Sequence, residues 1–371
     1  MRVISTQKVV IKVGTSSLTY ANGKLHYQAI EKLVQDIVDL MNAGVQVLLV
    51  SSGAVGAGLG RLGWLERPKT IPEKQAVAAI GQGLLMQVYE RLFSQYGQIV
   101  AQVLLTREDI ADRQRYLNAR NALNTLLTLK VVPIINENDT VAVEELKFGD
   151  NDTLSALVAS VIDADLLIIL SDIDGVYTKD PKSYDDAILL SEISYSDLVE
   201  QVNPGGAGSS RGTGGMQTKL QAAKIATAAG TGVVVANATE PHVLLEICQG
   251  KPVGTYIKPA SEGLRNRERW IAFNLPCAGK VEVDEGAYQA IKFRGKSLLP
   301  SGIRQVHGSF SLGDAIDIVS ESGTSFARGL VNYSSEEVAR IKGRKSLEIE
   351  KVLGYRHYDE VVHRDNLVLL S

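Results

Sequence analysis

Five short runs dominated by Val, Ile and Leu, at residues 9–13, 45–51, 131–136, 166–171 and 232–236, constrain this chain more than any other feature. Each is strand-length and nearly continuous in apolar residues, which suits a strand covered on both faces. Between them lie longer stretches with a helical rhythm. The clearest, 27–43, brings Ile30, Leu33, Val34, Ile37, Val38 and Met41 to one face and stops at Gly44. Buried strands alternating with helices predict an α/β domain on a mostly parallel sheet, whose functional residues belong in the loops beyond the strand C-termini.

The texture changes near Lys258. A charged connector carries Arg265, Arg267 and Arg269, and beyond Ala278 the runs become short, alternating and punctuated by glycine turns. A chain of 371 residues accommodates one large domain and one small one. The expected division is 1–258 for the α/β domain, 259–277 for a linker, and 278–371 for a small β-barrel or sandwich.

Composition excludes several classes. Hydrophobic residues at 45% and charged residues at 22% match a soluble globular protein. The longest apolar runs are strand-length, far below the roughly 20 residues of a bilayer span. The N-terminus enters Val9-Val10-Ile11 without the features of a secretory leader, so the expected location is the cytoplasm, with no membrane partner. Cys248 and Cys277 make no disulfide framework, and the five histidines fall in no metal-binding or catalytic spacing. A net charge of -3 gives no broad basic field for nucleic acid.

Lys12 interrupts an otherwise apolar strand and precedes Gly14-Thr15-Ser16-Ser17. A buried ammonium needs a counter-charge, and a phosphate chain is one; an edge lysine snorkelling to water is the alternative. The second strand runs into Ser51-Ser52-Gly53-Ala54, a small-residue turn that admits a ligand close to the backbone. Gly58, Gly60 and Gly63 spell G-x-G-x-x-G, but they come too late after the strand, and 73–80 reads as helix where a dinucleotide fold needs a strand. Close packing is the better reading of these glycines.

The densest polar segment is Asn136-Glu137-Asn138-Asp139, followed by Gly149-Asp150-Asn151-Asp152. A solvated loop could be this polar, yet the same groups supply acceptors for an ammonium and donors for a carboxylate. Ser171-Asp172 ends a buried strand, and Gly212-Thr213-Gly214-Gly215-Met216-Gln217-Thr218-Lys219 opens onto a helical stretch. That order is not a Walker A loop, but a helix N-terminus beside a lysine favours phosphate by the same physics; a flexible linker is the alternative. A carboxylate nucleophile would need no general base, in keeping with the absence of a histidine constellation.

Taken in order, Lys12-Val-Gly-Thr-Ser-Ser-Leu, Ser51-Ser-Gly-Ala, Asn136-Glu-Asn-Asp, Gly149-Asp-Asn-Asp, Ser171-Asp172 and 212–219 resemble the amino acid kinase family, within it the branch that phosphorylates free glutamate on the way to proline. The resemblance implies a three-layer αβα sandwich around a mostly parallel sheet, with ATP as co-substrate and Mg²⁺ carried on it. It implies that Ser52, Asp139 and Asn151 contact L-glutamate, and that Lys12, Ser171, Asp172, Thr213, Gly214, Gly215, Met216, Gln217, Thr218 and Lys219 contact ATP. Lys12 and Lys219 would flank the moving phosphoryl group and Asp152 would hold them. A kinase for a related acidic metabolite, such as N-acetylglutamate or aspartate, is the runner-up.

The C-terminal part is similar to a PUA domain, a mostly-β barrel that binds RNA in other proteins. From Ala278 to Ser371 there are 13 Lys plus Arg against 13 Asp plus Glu, so charge gives RNA binding no support. The only local basic cluster is Arg340, Lys342, Arg344 and Lys345. The resemblance further implies inhibition by proline, a homo-oligomer, and a separate reductase that consumes the glutamyl phosphate.

Overall fold

A computed structural model describes residues 2, 6–20, 24–64, 66, 68–142, 151–181, 183–202, 214–260 and 275–370. It divides into two compact units, Met1–Leu264 and Arg265–Ser371.

In the first unit, eight strands form one sheet in the order β3-β4-β2-β1-β5-β7-β8-β6. They are β1 (Lys8–Val13), β2 (Gln46–Ser51), β3 (Val100–Leu105), β4 (Val132–Glu137), β5 (Leu166–Ser171), β6 (Glu192–Ile193), β7 (Gly232–Asn237) and β8 (Thr255–Ile257). The five apolar runs of the sequence are β1, β2, β4, β5 and β7, and every pairing from β3 across to β7 is parallel. β3 escapes the sequence reading because it is an edge strand: its Val and Leu residues are mostly half-buried and Gln102 is exposed. β8 runs antiparallel to β7, so the sheet is mixed at that margin.

Alternation along β1 separates its two faces. Val9, Ile11 and Val13 join a core with Ile30, Val34 and Ile37 of the helix Tyr27–Asn42, and with Leu85 and Tyr89 of the helix Ile71–Ser94. Lys12 belongs to the opposite face, which the helix Asn151–Val161 covers, with the helix Gly214–Ala228 beside it. Helices on both faces of the sheet make the three-layer α/β architecture.

The G-x-G-x-x-G stretch lies in the helix Ala54–Leu62, with Gly63 as its left-handed cap. A Cβ on Gly58 would stand 2.1 Å from the Val77 carbonyl oxygen, and one on Gly81 would stand 1.7 Å from that of Ala54. Gly58 therefore lets this helix lie against Ile71–Ser94, as close packing predicted, whereas a Cβ on Gly63 would meet nothing within 4 Å and that glycine serves the helix end instead.

The second unit carries a five-stranded sheet ordered β10-β9-β11-β12-β13, built from β9 (Cys277–Val283), β10 (Ile303–Gly308), β11 (Ala315–Val319), β12 (Ser325–Val331) and β13 (Val362–Leu369). Only β9 and β11 pair in parallel. Val281, Ile316, Ile318, Phe326 and Val362 fill its core with Ile291 and Val338 from two helices, Glu285–Arg294 and Ser335–Ile341. The alternating strand signal gave no sign of these helices, each short and capped by its own side chain, Asp284 or Ser334.

Candidate active site

The strand order reverses between β1 and β5, since the chain leaves β1 toward β2 on one side and leaves β5 toward β7 on the other. The crevice beyond the C-termini of such a pair is where an open α/β sheet receives a ligand. A cavity of about 430 Å³ opens there. It draws Lys12 and Gly14 from the end of β1, Ser52 and Gly53 from β2, Asn136 and Asp139 from β4, and Ser171 and Asp172 from β5. Asn151 and Lys219 complete it from the two covering helices.

Local chain geometry explains several of these placements. Gly53 adopts a φ of 102°, a left-handed turn that aims the N-terminus of Ala54–Leu62 at the cavity. The residues after Gly14 form a single helical turn, Thr15–Leu18. Asn151 and Asp152 are the first two residues of the helix Asn151–Val161, which extends Asn151 into the cavity and Asp152 beneath it.

Asp152 bridges two cations. Its Oδ1 lies 2.6 Å from Lys12 Nζ and its Oδ2 lies 3.0 Å from Lys219 Nζ. Thr218 Oγ1 also donates to Oδ2, at 3.1 Å. Burial, the largest single effect on this carboxyl, pushes its pKa up; the Lys12 and Lys219 ammonium groups together outweigh it and hold the group below the ordinary carboxylate range. The site therefore keeps an ionised carboxylate between two ammonium groups.

A second network is made of amides. Asn151 Nδ2 donates to Ser52 Oγ at 2.8 Å and to Asn136 Oδ1 at 2.9 Å. Asn136 Oδ1 also accepts from the Glu137 backbone N–H, while Asn136 Nδ2 donates to Gln82 Oε1, each at 2.9 Å. Ser51 Oγ meets the buried Tyr89 hydroxyl at 2.8 Å, and burial raises the pKa of that phenol, so it stays protonated.

All the sequence-read candidates of the first, second and fifth strands, with Asp139, Asn151 and Lys219, thus line one cavity. Gly214 opens the helix Gly214–Ala228, but Gly215, Met216, Gln217 and Thr218 do not line this cavity. Thr213, Gly212 and the segment 143–150, with Gly149 and Asp150, lie outside the described residues. Gln82 and Tyr89 were missed. Their signal was available: with Ala78 and Leu85 they share one buried helical face, where a glutamine is out of place.

Comparison with known proteins decides the family. The amino acid kinase family matches residues 7–237, and a PUA domain matches residues 279–353. The chain belongs to the amino acid kinase family. Among similar members, "Glutamate 5-kinase" of Thermoanaerobacter sp. (strain X514) is 54% identical, with 98% of each chain covered. "Glutamate 5-kinase" of Caldanaerobacter subterraneus subsp. tengcongensis is 55% identical over the same shares. A solved "Carbamate kinase from Giardia lamblia bound to AMP-PNP" shares the fold at 20% identity and a TM-score of 0.51, covering 69% of this chain and 99% of that one. No described helix is long and apolar enough to cross a membrane.

Of the basic cluster in the PUA unit, Arg340 is engaged internally: its guanidinium donates to the Val352 carbonyl oxygen.

Proposed function

We propose that this chain transfers the γ-phosphoryl group of ATP to the side-chain carboxylate of L-glutamate, forming glutamyl 5-phosphate at the first step of proline biosynthesis. The observation that carries the reading is the Lys12–Asp152–Lys219 bridge at the wall of the cavity, and the names of relatives matched along 98% of the chain supply the acceptor.

In this reading a γ-carboxylate oxygen attacks the terminal phosphorus, the new O–P bond forms as the bond to the β-bridging oxygen breaks, and ADP leaves. No proton moves, so no general base is required. Two anions must meet, and each close cation offsets roughly 4 kcal/mol at an effective dielectric near 20. Lys12 and Lys219 supply that charge, and Asp152 holds their ammonium groups in place. Ser52, Asp139 and Asn151 bind glutamate, with Asp139 as the first acceptor for its α-ammonium. Ser171, Asp172 and residues 213–219 bind ATP, and Mg²⁺ enters on the nucleotide as part of the substrate.

The same reading implies proline as an inhibitor at or beside the glutamate pocket, assembly of copies into a homo-oligomer, and a separate reductase that takes the acyl phosphate. Work in the cytoplasm follows from the same pathway.

The test is ATP turnover with Mg²⁺ against glutamate, N-acetylglutamate, aspartate and no acceptor, with hydroxylamine trapping any acyl phosphate. Hydroxamate from glutamate alone is expected. Product only from another acceptor would overturn the pocket assignment, and none from any would overturn the kinase reading.

A further inference from the structure

We infer that Gln82, a residue outside the cavity lining, is a positioning residue for the amino-acid substrate: it fixes the amide of Asn136, which in turn fixes that of Asn151. The inference rests on the glutamate reading above.

A side-chain amide presents a donor on one side and an acceptor on the other, and only its hydrogen-bond partners decide which way round it sits. Asn151 Nδ2 donates to both Ser52 Oγ and Asn136 Oδ1. Two donors and two acceptors consume the amide hydrogens, so what Asn151 has to offer a ligand is its Oδ1. That atom suits a substrate N–H, and the only N–H group of glutamate is its α-ammonium.

The arrangement holds only while Asn136 keeps Oδ1 toward Asn151. One bond favouring that orientation is the Glu137 backbone N–H onto Asn136 Oδ1; the other is Asn136 Nδ2 onto Gln82 Oε1. Gln82 is buried, 8% exposed, on a helix whose neighbouring inward residues Ala78, Leu85 and Tyr89 pack in the core. Without its oxygen the Asn136 amide loses its buried acceptor, and only the Glu137 N–H is left to hold its orientation. A reversed Asn136 would set Nδ2 against Nδ2, forcing Asn151 to reverse and to face the ammonium with a donor.

The experiment compares Gln82→Met, which keeps length and removes the acceptor, with Gln82→Glu, whose carboxyl retains an acceptor oxygen in either protonation state. KM for glutamate, KM for ATP, kcat and the thermal midpoint are measured for both and for the parent. Gln82→Met is expected to raise KM for glutamate roughly tenfold, the scale of one lost buried hydrogen bond, with KM for ATP within about twofold of the parent. Gln82→Glu is expected to return KM for glutamate to within about threefold of the parent.

An unchanged glutamate KM in a folded Gln82→Met, or an equal rise in both KM values, overturns the inference. Should Gln82→Met fail to fold, Gln82→Glu decides alone, since a tenfold rise there with the acceptor preserved overturns it. If the parent itself makes no hydroxamate from glutamate, the substrate reading fails instead, and the two failures are distinct.

Discussion

Lys12 Nζ lies 2.6 Å from Asp152 Oδ1, with 8% and 3% of the two side chains exposed. An ion pair this deep is expensive to break from one side, because the surviving charge stays buried without compensation. Replacing Asp152 by Asn would strand Lys12 and Lys219 together. The expected loss of stability is about 3–5 kcal/mol, read from urea unfolding at neutral pH, with kcat falling as the lysines part.

The same pair carries a pH signature. Burial raises the Asp152 carboxyl and the two lysines more than reverse it, so its folded pKa lies below the ordinary 3.8. Its contribution is therefore present above that ordinary value and is lost as pH falls through the folded pKa. The thermal midpoints of the parent and Asp152→Asn should differ most near neutrality and converge in acid. A gap that stays constant down to pH 3 would sink the argument.

Lys219→Ala removes one of the two cations from the proposed transition state while leaving the Lys12–Asp152 pair. A kcat lowered by roughly 10²-fold or more is expected, with the fold retained by circular dichroism. A folded variant of unchanged kcat would remove Lys219 from the mechanism.

Two glycines of the helix Ile71–Ser94 should respond in opposite directions. Gly81→Ala drives a Cβ to 1.7 Å from the Ala54 carbonyl oxygen, and overpacking of this kind costs about 1–3 kcal/mol. At the exposed Gly83 a Cβ meets nothing within 4 Å, so Gly83→Ala should gain up to about 1 kcal/mol of helix propensity. Thermal unfolding of the two variants checks both signs.

Proline, titrated at fixed glutamate, is expected to slow acyl phosphate formation, and raising glutamate should restore the rate. Flat activity across the titration would count against a proline site in or beside the glutamate pocket.

The central strands were legible in sequence because burial on both faces writes itself as unbroken Val, Ile and Leu. β3 was not, since an edge strand with Gln102 exposed carries no such run. Lys12, Asn136 and Asp139 were legible for the converse reason: polar groups at the ends of apolar strands demand partners. Gln82 was passed over although its helical spacing with Ala78, Leu85 and Tyr89 puts it on the inward face; what that spacing does not give is its partner. Its meaning lies in Asn136, 54 residues away in the chain, a relationship that single-sequence periodicity does not contain.

Lys12 stands on the sheet, Lys219 on one helix and Asp152 on another. Three separately packed elements would ordinarily leave the gap between two cations subject to every small adjustment of the layers. Because each lysine holds a different oxygen of one carboxylate, that gap is referred to the width of a covalent group. The carboxylate acts as a gauge block: layers that shift must carry both charges with them or break a buried bond.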